Sequence, residues 1–364
     1  MNKNSKYMGR RVAIIAAMSA TGETGGAERF YYGLLNALIE EGCDAVLVPI
    51  PADESTFDHI LDNYKNCNSL DLSSYDLVIS TKAPTYAVKH KRHVLYLMHT
   101  TRVFYDMFDE VFPWAGEELA GQRKKIIKLD TDIIRGIKEK FSIGYEVAGR
   151  LKEWNGLDAE VLHPPLGMNR FKKGKTGDYF FMPGRLHSWK RVHLAISAIK
   201  ESTLPMKLLI AGTGETEAEL KLLSNGDPRI QFLGRVSDDE LINYYSDALA
   251  IPFIPLREDF GYVTLEAFSS AKAVITCTDS GEPLHFVSHQ KTGLVCEPTP
   301  QDIKVAMEQL FLNRDLAFTM GQRGAESISQ IAWPKVAQRL LDAGFNDDEP
   351  VVKSCRELKK EILK

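Results

Sequence analysis

The sequence predicts an α/β fold of two doubly wound domains that meet across a cleft. Three observations predict it. At 364 residues the chain exceeds what one hydrophobic core usually serves. Short apolar runs alternate with amphipathic stretches, the pattern of a parallel sheet covered by helices. The series of runs then restarts near the middle of the chain, after a segment with no apolar periodicity.

In the first half, strands are expected at Arg11 to Met18, Ala45 to Pro49, Leu77 to Ser80, Val94 to Met98 and Glu160 to Leu162, with a helix over Arg29 to Glu40. The segment Leu166 to Asp178, which contains Lys172-Lys173-Gly174-Lys175, reads as a linker. The second series runs through Tyr179 to Met182, Lys207 to Ile210, Ile230 to Leu233, Leu249 to Pro252, Ala273 to Thr276 and Gly293 to Cys296. Helices are expected again at Lys335 to Gly344 and Ser354 to Leu363. The domains are therefore drawn as residues 1–165 and 179–333, joined by 166–178, with the helices of 334–364 crossing back to the first domain by analogy with other two-domain folds.

Composition narrows the function. The chain is 44% apolar and 26% charged with a net charge of −4, an ordinary globular balance. A pI near 6.2 argues against a general nucleic-acid binder, which needs a basic surface. Cys43, Cys67, Cys277, Cys296 and Cys355 are odd in number and contain no C-x-x-C pair, so a reducing, cytoplasmic setting is expected and a cysteine zinc site is not. The apolar run Val12 to Met18 is too short to span a membrane and reads as a strand.

The most informative stretch is Glu258-Asp-Phe-Gly-Tyr-Val-Thr-Leu-Glu266. It sets two carboxylates around a glycine that opens a helix with the apolar face Leu265, Ala267, Phe268 and Ala271. Gly261 allows close approach of a ligand, and the N–H groups of Tyr262, Val263 and Thr264 can face an anion. Glu266 and Glu258 suit hydroxyl pairs, one on a ribose and one on a second polyol. The competing reading is that both acids only complement the positive helix end.

In doubly wound sheets ligands gather beyond the carboxyl ends of the strands, so three strand-end loops stand out. Ser19 to Glu28 carries the adjacent pair Gly25 and Gly26 before a helix start; it is either a ligand loop or a flexible turn. Pro183-Gly184-Arg185 leads to Lys190 and Arg191; Arg185 offers a planar fork and Lys190 a movable point charge for phosphate oxygens. His99 ends the strand Val94 to Met98, where an imidazole is either structural or placed to hydrogen-bond a ligand hydroxyl.

Taken together these motifs resemble the retaining GT-B glycosyltransferases of family four over roughly Val12 to Trp333. The resemblance implies two Rossmann-like domains, the first on the acceptor side and the second binding the nucleotide sugar. It implies that Gly25, Gly26 and Glu28 lie near the donor phosphates, that His99 contacts the donor sugar, and that Arg185 and Lys190 bind the diphosphate. By the same likeness Glu258 holds the sugar, Glu266 holds the ribose, and Phe232-Leu-Gly-Arg-Val236 borders the nucleobase. Further likeness lies in Ala211-Gly-Thr-Gly214 and Thr292-Gly-Leu-Val295. One departure is Ser280-Gly281-Glu282-Pro283-Leu284-His285, where the family often reads GG-x-x-E.

The implied chemistry is transfer of a hexose from a UDP- or GDP-hexose, used as substrate rather than cofactor, to a hydroxyl of a glycan or lipid-linked acceptor in cell-surface polysaccharide or glycoconjugate synthesis. The anomeric configuration is retained, and no metal ion is expected because Arg185, Lys190 and the helix start already offset the charge. Asp130-Thr-Asp132 spells D-x-D, but its setting in a regular element makes a metal site unexpected. Basic residues Lys82, Lys89, Lys91 and Arg92, with Arg123, Lys124 and Lys125, either rest on an anionic membrane surface or form a solvated face. The aromatic stretch Phe104, Tyr105, Phe108, Phe112 and Trp114 either lines an acceptor channel or packs a core. Two rival functions share the architecture: a sugar-nucleotide epimerase and a non-catalytic nucleotide-sugar-binding protein.

Overall fold

The structure is a computed structural model that describes residues 5–18, 26–51, 53–167 and 170–346. Gly25 and the rest of 19–25, Cys355, and the helix expected at Ser354 to Leu363 lie outside the described residues. The chain divides into two compact units, Met1–Gly167 with Ile331–Lys364, and Met168–Gln330.

The first unit runs β1 (Arg11–Met18), α1 (Gly26–Glu40), β2 (Asp44–Pro51), α2 (Phe57–Ser69), β3 (Leu77–Lys82), β4 (His93–His99), α3 (Phe108–Val111), α4 (Glu117–Arg135), β5 (Glu139–Ser142), α5 (Tyr145–Asn155) and β6 (Glu160–Val161). Its six strands are all parallel in the order β2-β1-β3-β4-β5-β6. Val12 to Ala16 are fully buried, as a strand covered on both faces requires. β5 has no counterpart among the expected strands: its sequence Glu-Lys-Phe-Ser offers one large apolar residue, Phe141, too little for a periodic signal.

The second unit runs β7 (Tyr179–Pro183), α6 (Val192–Glu201), β8 (Lys207–Ala211), α7 (Glu217–Ser224), β9 (Ile230–Gly234), α8 (Asp238–Asp247), β10 (Ala250–Pro252), α9 (Tyr262–Ser269), β11 (Ala273–Cys277), α10 (Pro283–Phe286), β12 (Gly293–Cys296), α11 (Pro300–Leu312) and α12 (Arg314–Ser327). Its parallel order is β12-β11-β10-β7-β8-β9. The last described helix, α13 (Trp333–Gly344), belongs to the first unit, where the Trp333 ring lies 6.1 Å from that of Phe30 on α1. Each sheet winds outward from its first strand and then returns to the other side of it. The switch points therefore fall between β1 and β3 in one unit and between β7 and β10 in the other, where strand-end loops splay apart and leave room for a ligand.

Two expectations need correction. Ala271 is not part of the apolar helix face, because α9 ends at Ser269 and Ala271 turns the chain with a φ of 54°. The segment after Gly167 does not run free: Phe171 packs its ring 5.4 Å from Tyr245, and Lys272 Nζ donates to the Lys175 carbonyl at 3.0 Å.

Candidate active site

The loops beyond β7, β8 and β9 are knitted by main-chain bonds. Gly184 N–H donates to Ala211 O at 2.9 Å, Leu186 N–H to Thr213 O at 2.9 Å, and Gly212 N–H to Gly234 O at 2.7 Å. The Thr216 hydroxyl closes the set on Leu186 O at 2.8 Å. This frame fixes where the chain leaves β7, and a one-turn helix at Ser188–Lys190 then presents Lys190.

Arg191 follows in the left-handed region, with φ 52°, a conformation that costs an arginine about 1–2 kcal/mol. Its guanidinium makes up for it. Nε donates to Ile254 O at 2.8 Å, Nη2 to Pro255 O at 2.8 Å, and the two terminal nitrogens grip Asp279 at 2.6 and 2.7 Å. One side chain thus ties the loop after β7 to the loops after β10 and β11.

The segment holding Glu258 is hung on that second loop. Arg257 N–H donates to Asp279 O and Glu258 N–H to Ser280 O, each at 2.9 Å, and Glu282 N–H returns to Glu258 O at 2.9 Å. Gly281 sits at the crossing with φ 76°; a Cβ there would stand 2.6 Å from Glu258 O. So held, Glu258 places Oε2 2.5 Å from Lys190 Nζ, with both side chains largely buried. Gly261 (φ 77°) caps α9 against the same residues: a Cβ would lie 2.6 Å from Phe253 Cε1 and 3.2 Å from Glu258 Cγ. Lys190 also stands over the Phe253 ring, 5.6 Å from its centre.

The helix start holds fewer donors than expected. Thr264 N–H bonds to Gly261 O at 2.9 Å, so the first-turn donors with no acceptor of their own in the helix are those of Tyr262 and Val263. Glu266 is 6% exposed and accepts from the Tyr245 hydroxyl at 2.6 Å. The Tyr262 hydroxyl lies beneath, its pKa pushed up by burial and then by the Glu266 charge. Val236 is half-buried against the apolar cluster around Phe181 and Tyr245.

Arg185 is not drawn into this group. Its side chain is 70% exposed, and Nη2 lies 3.6 Å from Glu215 Oε2, a carboxylate that also meets His187 Nε2 at 3.2 Å. Glu282, the departure noted in the sequence, is fully buried with its N–H on the Glu258 carbonyl; His285 follows on α10.

In the first unit, Gly26 and Glu28 open α1, and His99 ends β4 half-buried with Nδ1–H donating to Thr100 O at 2.8 Å. Opposite His99 in register stands Lys82, whose ammonium is held below its ordinary pKa by burial, against the pull of Glu54 and Glu28. The D-x-D pair separates: Asp130 is buried and accepts from Tyr64, Tyr86 and Tyr105, while Asp132 pairs with Lys128 at 2.8 Å on the surface. Arg123 leaves the basic face. It stacks over Phe108 and Trp154 at 4.4 and 4.5 Å and donates to Phe104 O and Tyr105 O. Phe104, Tyr105 and Phe108 pack a core, and Trp114 is exposed. Among the described residues no helix is long and apolar enough to cross a membrane.

Sequence reasoning missed Arg191, Asp279 and Tyr245 as parts of this site. A non-glycine residue at positive φ leaves no trace in residue type, and Asp279 is 88 residues away from its partner.

Two six-stranded parallel sheets covered by helices, shared with solved glycosyltransferase structures, are the architecture of the GT-B fold. Residues 168–327, nearly all of the second unit, match the family described as Glycosyl transferases group 1. The chain resembles alpha-1,3/1,6-mannosyltransferase ALG2 of Mus musculus, 30% identical over 175 residues (45% of this chain, 40% of the relative). It also resembles a GDP-mannose-dependent alpha-(1-6)-phosphatidylinositol monomannoside mannosyltransferase of Mycobacterium tuberculosis, 32% identical over 168 residues (42% and 43%). The matches thus span less than half the length of either relative. Sucrose-phosphate synthase from Thermosynechococcus elongatus shares the fold with a TM-score of 0.74 at 16% identity, over 92% of this chain and 98% of that one.

Proposed function

We propose that the chain is a retaining hexosyltransferase, moving a hexose from a nucleoside-diphosphate sugar to a hydroxyl of a glycan or lipid-linked acceptor in glycoconjugate synthesis. The observation that carries this reading is the Lys190–Glu258 pair seated against the N-terminus of α9 at the β7/β10 switch point. A cation, open helix donors and a carboxylate in one loop cluster suit a diphosphate flanked by a polyol.

Lys190 and the Tyr262 and Val263 N–H groups take the phosphate oxygens, and Arg185 leaves Glu215 to join them. Glu258, freed from Lys190, accepts from hydroxyls of the sugar; Glu266 accepts from the ribose, and Val236 borders the base. His99 contacts a substrate hydroxyl. As the glycosidic bond breaks, negative charge builds on the diphosphate, and preplaced cations stabilise it without a metal ion. The acceptor proton passes to the leaving phosphate, and the new bond forms on the face just vacated.

The GDP-mannose-dependent relative favours GDP-mannose as the first donor to test. A thermal-shift screen of UDP, GDP, ADP and their hexose conjugates tests binding, since ligand at about a hundred times its Kd stabilises the folded state by about 2.7 kcal/mol. Incubation with the preferred donor and a polyprenyl-linked glycan then tests transfer. Isomerised donor without an acceptor, or binding with no product from any acceptor, would replace this reading with one of its two rivals.

A further inference from the structure

Away from the donor cluster, two thiols stand side by side. β11 and β12 are parallel with Cys277 directly opposite Cys296, and each residue is the last of its strand. Both side chains lie on one face of the sheet, in the cluster that holds Ile275 and Leu294. Neighbouring strands are about 4.8 Å apart, and a disulfide spans about 4.4–6.8 Å between Cα atoms. Just beyond the pair, Thr278 N–H donates to Cys296 O at 3.0 Å and the Thr278 hydroxyl to Glu297 Oε2 at 3.0 Å, so closing the remaining gap between sulfurs strains the bonds that hold residue 278.

The two thiols are not equivalent. Cys277 is fully buried and Cys296 half-buried. The Cys277 thiol points at Glu297 O at 3.9 Å and the Cys296 thiol at Thr276 O at 3.6 Å, and the interaction between the two thiols holds Cys296 below the ordinary thiol range and pushes Cys277 above it. Cys296, the more exposed of the two, is the nucleophile and Cys277 the resolving thiol.

The residues after Cys277 are those that suspend Glu258. Cys277 N–H donates to the Ser280 hydroxyl at 3.1 Å, Asp279 grips Arg191, and Ser280 O receives Glu258 N–H. We propose that Cys277 and Cys296 form a redox site: a peroxide closes them into a disulfide, a dithiol reopens it, and closure shifts the segment 278–281 on which Glu258 hangs.

The Cys296 thiolate attacks one peroxide oxygen, breaking the O–O bond and giving a sulfenic acid and, after protonation, water. The Cys277 sulfur then displaces the sulfenic oxygen as a second water while the S–S bond forms. The peroxide is reduced, the pair is oxidised, and both thiol protons end in water.

The test treats the full chain with equimolar hydrogen peroxide, alkylates the remaining thiols under denaturing conditions and maps the peptides. Amide exchange over 256–262 is read on the same samples. We expect a peptide pair linked through Cys277 and Cys296, lost on treatment with dithiothreitol and absent in Cys296→Ser, with faster exchange at Leu256 and Glu258 only in the linked form. Cys277 and Cys296 both still alkylatable, oxidation only to sulfinic acid, or links chiefly to Cys43, Cys67 or Cys355 would overturn the site. A link that leaves the exchange unchanged would overturn its effect on the Glu258 segment. None of these readouts requires a donor or an acceptor, so they stand apart from the test of the transferase reading.

Discussion

Lys190 Nζ lies 2.5 Å from Glu258 Oε2, so the cation assigned to the donor diphosphate is neutralised by the carboxylate assigned to the donor sugar. Each holds the other in place, and a donor must part them. Removing the cation alone leaves a largely buried carboxylate facing the incoming phosphates. Lys190→Ala should therefore weaken GDP or UDP binding by about 2–3 kcal/mol, near a hundredfold, more than loss of a surface charge would. The double variant Lys190→Ala/Glu258→Gln should recover part of that loss, with a coupling of about 1–3 kcal/mol. Titration calorimetry on the two single variants and the double measures it; strict additivity would show that the pair does not act as a unit.

Arg191 touches no assigned ligand group, yet it joins three loops through four bonds. Lysine cannot reproduce a fork that reaches two carbonyls and a carboxylate together. Arg191→Lys should lower unfolding stability by about 2 kcal/mol, seen as a lower urea midpoint at unchanged slope, and should weaken nucleotide binding beyond what global stability explains. Asp279→Asn should do the same to a smaller degree. Wild-type midpoints in both would remove Arg191 from the frame of the site.

Gly281 has positive φ and backs onto the Glu258 main chain, so Gly281→Ala meets both strain and a collision with backbone that cannot rotate away. A loss of about 2–4 kcal/mol is expected, with donor binding falling in parallel. Gly116, the N-cap of α4, has φ −89° and nothing within 4 Å of an added Cβ. Gly116→Ala is the control, expected within about 1 kcal/mol of wild type. Calorimetric melts of the two variants decide the matter, and equal losses would mean that the crossing at Gly281 is not tight.

Most of the strand pattern was legible because both sheets bury apolar runs on both faces, and β1 and β12 match the expected ranges residue for residue. β5 was not, since a short strand opening on two charged residues carries no period. Within the site, Lys190, Glu258 and Gly261 could be read from spacing because they lie on loops that directly follow strands or open a helix. The position of Arg185 could not. Residue type says that a fork suits phosphate, but only the fold shows Glu215 already beside it. Nor does a sequence reveal that the third amide of α9 is spent on Gly261, or that Asp130 of the D-x-D pair is enclosed by tyrosines.

That enclosure gives stability a pH dependence. Asp130 is fully buried and accepts from Tyr64, Tyr86 and Tyr105 at 2.5, 2.5 and 2.6 Å. Burial raises its pKa to about 6, against the three tyrosine bonds that lower it. Because the folded pKa lies above the ordinary 3.8, the folded state binds the proton more tightly than the unfolded chain does. Its contribution is therefore fully present below about pH 4 and lost as pH rises through 6, on the order of 3 kcal/mol in all. Asp130→Asn, which has no proton to lose, should flatten this part of the profile. The difference in unfolding free energy between wild type and Asp130→Asn should change steadily between about pH 4 and pH 6 and stay constant above pH 7. Tyr64→Phe removes one donor from the carboxylate, so it should push that window upward and cost about 1–2 kcal/mol at neutral pH. Urea titrations across that range measure both effects, and parallel profiles for wild type and Asp130→Asn would show that the carboxyl is not the group that titrates.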